Sequence, residues 1–184
     1  MDMVSDIDDD DCMRMVRLFN EPAGRKYLLK QKIDKSVVNR LDLLGISSMA
    51  NILGTIKLAK YYEMTENDIL FTVATDSMEM YMSRLKELQK KFGEYTEIQA
   101  GIDFEKALLG QSIDYTLELS YYDKKRMHNL KYFTWIEQQG KTIEELNAQW
   151  YDDNYWTDKF HSYQQWDKVI KDFNDKTGLL KKYK

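Results

Sequence analysis

Two short polar runs carry the residue types that chemistry needs, Gly45-Ile46-Ser47-Ser48 and Thr75-Asp76-Ser77. A serine hydroxyl can donate or accept a hydrogen bond, and a glycine such as Gly45 lets the main chain come close to a neighbour. Read from the residues alone, Ser47, Ser48 and Ser77 are helix caps, because each stands between an apolar stretch and a helix-periodic one. A cap can also face a ligand. Asp76 reads as a solvated turn residue. Asp6, Asp8 and Asp10 alternate as in a calcium loop, but Asp11 stands where the loop needs glycine and Arg17 where it needs a bidentate glutamate. The aspartates are therefore assigned to a helix N-terminus. The one cysteine, Cys12, has no disulfide or zinc partner and reads as a small buried apolar residue. His128 and His161 are too far apart in sequence to suggest a dyad, and they are assigned to packing. Trp135, Trp150, Trp156 and Trp166 share no helical stripe and read as packing anchors, with a lid over a cleft as the functional alternative.

The elements that must position the two serine runs follow from hydropathy. Residues 41–46 are a short apolar run, and Met49, Ile52, Leu53 and Ile56 then recur on one helical face. Residues 69–74 are a second apolar run, followed by Tyr81, Leu85, Leu88 and Phe92 at helical spacing. Strand, helix, strand, helix predicts an α/β fold, a partial parallel sheet with flanking helices, and both serine bends then fall at the carboxyl ends of strands, facing one crevice. Before this unit, Cys12, Met15, Val16 and Phe19 predict an amphipathic helix entered through an aspartate cap, and residues 21–40 predict one or two short surface helices. After residue 95 the pattern is mainly helical and aromatic. It includes a Thr142–Glu145 capping box and a last helix carrying Trp166, Val169, Ile170 and Phe173, closed at Gly178. The domain expectation is 1–95 for the βα part and 96–184 for a helical extension.

Composition narrows the classes. With 43% apolar and 32% charged residues the chain can bury enough surface to fold. A net charge of −4, with a short basic tail at Lys181, Lys182 and Lys184, argues against a phosphate-tracking surface and so against nucleic acid. No leader or spanning segment is legible, so a cytoplasmic protein without membrane contact is expected.

Two segments resemble a known family when taken together, GISSMANILGTIKLAKYY (45–62) and DILFTVATDSMEMYMSRL (68–85). They are similar to the C-terminal part of cysteine-synthase-like, fold-type II pyridoxal-phosphate (PLP) enzymes of the tryptophan synthase beta superfamily. That family carries a GISSGA turn and then a serine-bearing S-G-E-R-Y-L-S turn. Here the second turn reads Ser77-Met78-Glu79-Met80-Tyr81-Met82-Ser83, while Met49 replaces the glycine of the first. Residues 21–40 are an insertion relative to that family, and the region from His128 onward resembles the extension of a longer branch.

The resemblance implies PLP as cofactor, with Ser77 bonded to its pyridine nitrogen and Gly45, Ser47 and Ser48 on the pocket wall. Asp76 would pair with that nitrogen if it turned inward. A hydroxyl partner makes the ring a mild electron sink, which suits β-elimination and β-replacement on an amino-acid substrate. The Schiff-base lysine and the glycine-rich phosphate loop that the family uses are not found here, and Lys57 and Lys60 are assigned to a solvated helix face. The expectation is therefore a fragment of a lyase or transferase, not catalytically complete, acting as a homodimer or with a partner for the missing half. The alternative is a non-catalytic interaction module or truncated paralogue.

Overall fold

The computed structural model describes residues 2–182, so Lys184 of the basic cluster lies outside the described residues. The chain divides into two compact units, Met1–Glu118 and Leu119–Lys184. Among the described residues the only sheet has two strands, β1 (Met3–Ser5) and β2 (Thr116–Glu118), paired antiparallel with Val4 opposite Leu117. The predicted parallel sheet is therefore wrong, and the fold is mainly helical. Residues 41–46 fail as a strand because Leu41–Leu43 close into a 3-10 turn and Ile46 already starts a helix. Residues 69–74 form no ladder, since among the described residues no strand pairs with them. A continuous apolar run does not by itself identify a buried strand, and these two show why.

The first unit is built around α1 (Asp9–Asn20). Asp8 caps it, its carboxylate accepting the Asp10 amide at 2.7 Å, as the aspartate run predicts. The helix buries Cys12, Met15, Val16, Leu18 and Phe19. Helices α2 (Pro22–Lys30) and α3 (Lys35–Val38) occupy the predicted insertion, and Pro22 sits at the first position, where a missing amide costs nothing. Gly24 lets α2 press on α1, because any Cβ there would overlap the Leu18 carbonyl. Then come α4 (Ile46–Tyr61), α5 (Met82–Phe92) and α6 (Glu97–Asp103), which runs into a π-helical turn at Phe104–Leu109. Met49 and Leu53 of α4, Leu85 and Leu88 of α5 and Ala100 of α6 complete the core around α1. Burial of such side chains supplies roughly 1.5–3 kcal/mol each against leaving them exposed.

Inside this apolar core runs a buried polar chain. Arg17 Nε donates to Glu21 Oε1 at 2.5 Å, Arg17 Nη2 donates to the Gly93 carbonyl at 2.7 Å, and the guanidinium lies 4.7 Å over the Tyr95 ring. Tyr95 donates to Asp103 at 2.8 Å, and Asp103 also accepts from Arg14 at 3.1 Å and Gln99 at 2.9 Å. Burial, then the bond to Asp103, pushes the Tyr95 phenol far up. Cys12 is likewise pushed up to about 11, first by burial and then by the neighbouring Asp9, Asp11 and Asp8.

The second unit contains α7 (Tyr121–Asn129), α8 (Ile143–Tyr151), α9 (Tyr155–His161) and α10 (Tyr163–Thr177). Ser120 and Asp123 form a capping box, Thr142 caps α8 by accepting the Glu145 amide, and Gly178 ends α10 in the left-handed region at φ 63°. His128 is a packing residue, its Nε2 lying 2.9 Å from the Leu146 carbonyl and its ring 5.1 Å from Trp150, and burial depresses its pKa. No residue of α9 or α10 is buried, and Trp166, Val169, Ile170 and Phe173 all lie in the open. No helix among the described residues is long and apolar enough to cross a membrane.

Arg17→Met leaves the Glu21 carboxylate buried without its partner. The variant should lose about 3–5 kcal/mol of unfolding free energy, read from urea denaturation of the full chain, whereas Lys171→Met, which breaks a fully exposed pair, should leave the midpoint almost unmoved.

Candidate functional site

The two serine-bearing bends meet. Leu44 and Gly45 are extended, with Gly45 at φ −75° and ψ 179°, and the Gly45 amide donates to the Asp76 carbonyl at 2.8 Å. The approach is so close that a Cβ on Gly45 would overlap Asp76 Oδ1 and lie 2.8 Å from Asp76 Cγ. Glycine is required here by contact, since its φ is one that any residue adopts.

The Asp76 carboxylate is the hub. Tyr81 donates its phenol to Oδ2 at 2.5 Å, while Oδ1 lies 3.1 Å from the Ser47 hydroxyl and 3.2 Å from that of Thr75. Those two hydroxyls are hydrogen-bonded to each other at 2.6 Å, so one donates to its neighbour and the other to Oδ1, and the Thr75 amide donates to Ser48 Oγ at 3.2 Å. The Tyr81 bond, followed by those from Ser47 and Thr75, holds the Asp76 carboxyl below the usual carboxylate range. The same bond raises the Tyr81 phenol. Each hydrogen bond to the charged form favours that form.

These contacts correct three readings. Gly45, not a serine, is the N-cap residue of α4, and neither Ser47 nor Ser48 caps it through a side chain. Both serines instead reach across to the second bend. Asp76 is not a free turn residue, since Tyr81 and the Ser47–Thr75 pair hold its carboxylate. Of the two lysines expected on a solvated face, Lys60 is exposed, whereas Lys57 is buried and donates to the Asp6 carbonyl at 2.7 Å and the Asp114 carbonyl at 2.9 Å. Lys60 donates to the Leu109 carbonyl at 2.6 Å and the Gln111 carbonyl at 2.7 Å. Both ammonium groups satisfy main-chain acceptors that have no helical or sheet partner.

Ser77 differs from its neighbours. It precedes the 3-10 turn Met78–Tyr81 in the extended region, at φ −105° and ψ 163°, which is the N-cap position. Its hydroxyl caps nothing and makes no hydrogen bond among the described residues, although the residue is half-buried. Of the four hydroxyl-bearing side chains in the two bends, Ser47, Ser48, Thr75 and Ser77, it is the one left open.

Tyr81 and Thr75 escaped the sequence reading. Tyr81 fits the helical face of Leu85 and Leu88, and nothing in that periodicity signals a phenol turned back onto Asp76. The buried Arg17–Glu21 pair did carry a signal, the i, i+4 spacing of opposite charges.

Two clefts lie elsewhere in the first unit. One of about 340 Å³ is lined by Asp10, Arg14, Arg17, Phe92, Thr96 and Asp103. The other, of about 600 Å³, gathers Asp6, Asp8, Asp11 and Asp114 around Lys57. In the second, burial and Asp8 raise the Asp11 carboxyl. No group of three His, Cys, Asp or Glu among the described residues is arranged to hold a metal ion. Comparison with protein-family models, with curated proteins and with solved structures gives no match to this chain.

The depressed Asp76 pKa fixes a sign. Its folded value lies below the unfolded one of about 3.9, so the stabilisation is fully present above that pH and fades as pH falls through the folded value. A carbon-detected NMR titration should place the Asp76 midpoint below the ordinary aspartate range. Tyr81→Phe should move it back toward that range. An unchanged midpoint in Tyr81→Phe would remove Tyr81 from the hub.

Proposed function

We propose that this chain, although mainly helical and without the expected parallel sheet, is a fragment of a PLP-dependent, cysteine-synthase-like lyase or β-replacement enzyme acting on an amino acid, completed by a lysine-bearing segment in a longer polypeptide or in a partner subunit. The observation that carries this reading is the free hydroxyl of Ser77 beside a carboxylate that other hydroxyls already engage. A ring nitrogen brought to this bend meets a neutral donor and acceptor, not an anion. Asp76 is already engaged by Tyr81 and by the Ser47–Thr75 pair, so Ser77 is the contact this reading assigns to the nitrogen.

Pyridoxal phosphate, when bound, supplies an electron sink for cleavage beside the amino group, and with a neutral nitrogen the sink is mild enough for β-elimination. The residues of this chain orient and support. Gly45 permits the close approach of the bends, Asp76 locks them through Ser47, Thr75 and Tyr81, and Ser77 presents the contact. Ser47 and Ser48 support the wall, Ser47 bonded to Thr75 and Asp76 and Ser48 buried and accepting the Thr75 amide. The covalent lysine and the phosphate cradle must come from outside these bends, because Lys57 and Lys60 are each held by two carbonyls. Cytoplasmic amino-acid metabolism suits such an enzyme, and the single buried thiol suits a reducing compartment.

The test uses 4-deoxypyridoxine 5′-phosphate, which keeps the ring nitrogen and phosphate and has no aldehyde to react with surface lysines. Titrated into the isotopically labelled full chain, it should shift the Ser77 amide and its neighbours in the two bends, with a dissociation constant weakened at least tenfold in Ser77→Ala. Equal binding by wild type and Ser77→Ala, or shifts confined to other surfaces, would overturn the assignment.

A further inference from the structure

We propose that residues 69–74 are a docking ribbon that pairs, main chain to main chain, with an extended segment of another polypeptide, apolar in its middle and flanked by Lys or Arg. The inference stands apart from the cofactor reading, since a ribbon can be paired whether or not Ser77 faces a ring nitrogen.

The sequence there, Ile-Leu-Phe-Thr-Val-Ala, is rich in the β-branched and aromatic residues that suit a pleated, half-buried surface. Yet the side chains are in the open: Ile69 is 90% exposed, Phe71 93% and Val73 58%. The main chain is equally bare. No amide or carbonyl from residue 69 to 72 makes a hydrogen bond among the described residues. Large apolar side chains and unpaired backbone groups exposed together form the kind of template that another strand completes.

The ribbon is held at both ends, which lowers the ordering cost of pairing. At its start the Asp68 amide donates to the Thr65 carbonyl at 3.1 Å, and the Asp68 carboxylate accepts the Thr65 amide at 2.7 Å. At its end Asn51 Nδ2 of α4 donates to the Val73 carbonyl at 2.9 Å, and the Thr75 amide is held by Ser48. The intervening backbone is left free between two anchors.

Charge selects the occupant. From residue 61 to residue 83 the chain carries Glu63, Glu66, Asp68, Asp76 and Glu79 and no Lys or Arg. A second copy is therefore a poor fit. Antiparallel pairing centred on Phe71 sets Glu66 against Asp76 of the other copy, pairing centred on Thr72 sets Asp68 against Asp76, and parallel in-register pairing stacks each carboxylate on itself. Like charges directly opposed destabilise a strand pair, and opposite charges support it. A partner segment with cations at both ends meets carboxylates at both ends.

The experiment uses the labelled full chain and two synthetic peptides with the same alternating Val-Thr core, one flanked by paired lysines and one by paired glutamates. With the lysine peptide, amide exchange between residues 69 and 74 should slow at least tenfold, the effect should weaken with added salt, and Phe71→Lys should weaken binding at least tenfold. Residue 71 is exposed, so the helical circular dichroism of that variant should equal wild type. No protection by the lysine peptide, or equal protection by both peptides, overturns the proposal. Protection that grows with protein concentration in the absence of peptide overturns it in favour of a second copy.

Discussion

A single carboxylate, that of Asp76, determines how the two bends of this protein are arranged. It receives Tyr81, Ser47 and Thr75, while its own carbonyl takes the Gly45 amide. Four parts of the chain thus converge on one residue: the entry to α4, its first turn, the end of the ribbon, and the 3-10 turn before α5. Removing the charge leaves several hydroxyls without their acceptor, and adding a methyl at position 45 forces the bends apart. The openness of Ser77 is a consequence. Its neighbours satisfy one another, and its own hydroxyl is left as the available contact.

Elsewhere the first unit uses buried cations in a similar way. Arg17 joins α1 to the segment after α5 through the Gly93 carbonyl, and Lys57 joins α4 to the segment that leaves β1 and the one that leads into β2. In each case a long side chain crosses the core and ends on carbonyls that no helix or sheet satisfies. An unsatisfied buried carbonyl costs about 1–3 kcal/mol, so these contacts offset a penalty that irregular segments bring with them. Irregular backbone around residues 109–115 is tolerated because Lys57 and Lys60 cap it.

Helices were the legible part of the sequence. The aspartate cap and the Cys12, Met15, Val16, Phe19 face place α1, and the Met49 and Leu53 face places α4, because a helix satisfies its own main chain and needs only one apolar stripe. Strands were not legible for the converse reason. A run such as residues 69–74 has strand composition, but a strand exists only when a second segment lies alongside it, and that cannot be read from the run itself. The candidate site was half legible. The two bends do meet, but without the parallel strands expected to bring them together, and the expected roles of Ser47 and Ser48 as caps fail, because the sequence does not reveal which hydroxyl will find which acceptor across a space of about 28 residues. Tyr81 was hidden by its own helical spacing.

The most direct measurement is a set of nuclear Overhauser contacts and hydroxyl-exchange rates on the full chain. Hydroxyl protons of Ser47, Thr75 and Tyr81 should exchange slowly and show contacts that join residues 45–48 to residues 75–81, while the Ser77 hydroxyl exchanges at the rate of free serine. Absence of contacts between the two bends, or a Ser77 hydroxyl as protected as that of Ser47, would contradict the claim that Asp76 gathers the bends and leaves Ser77 open.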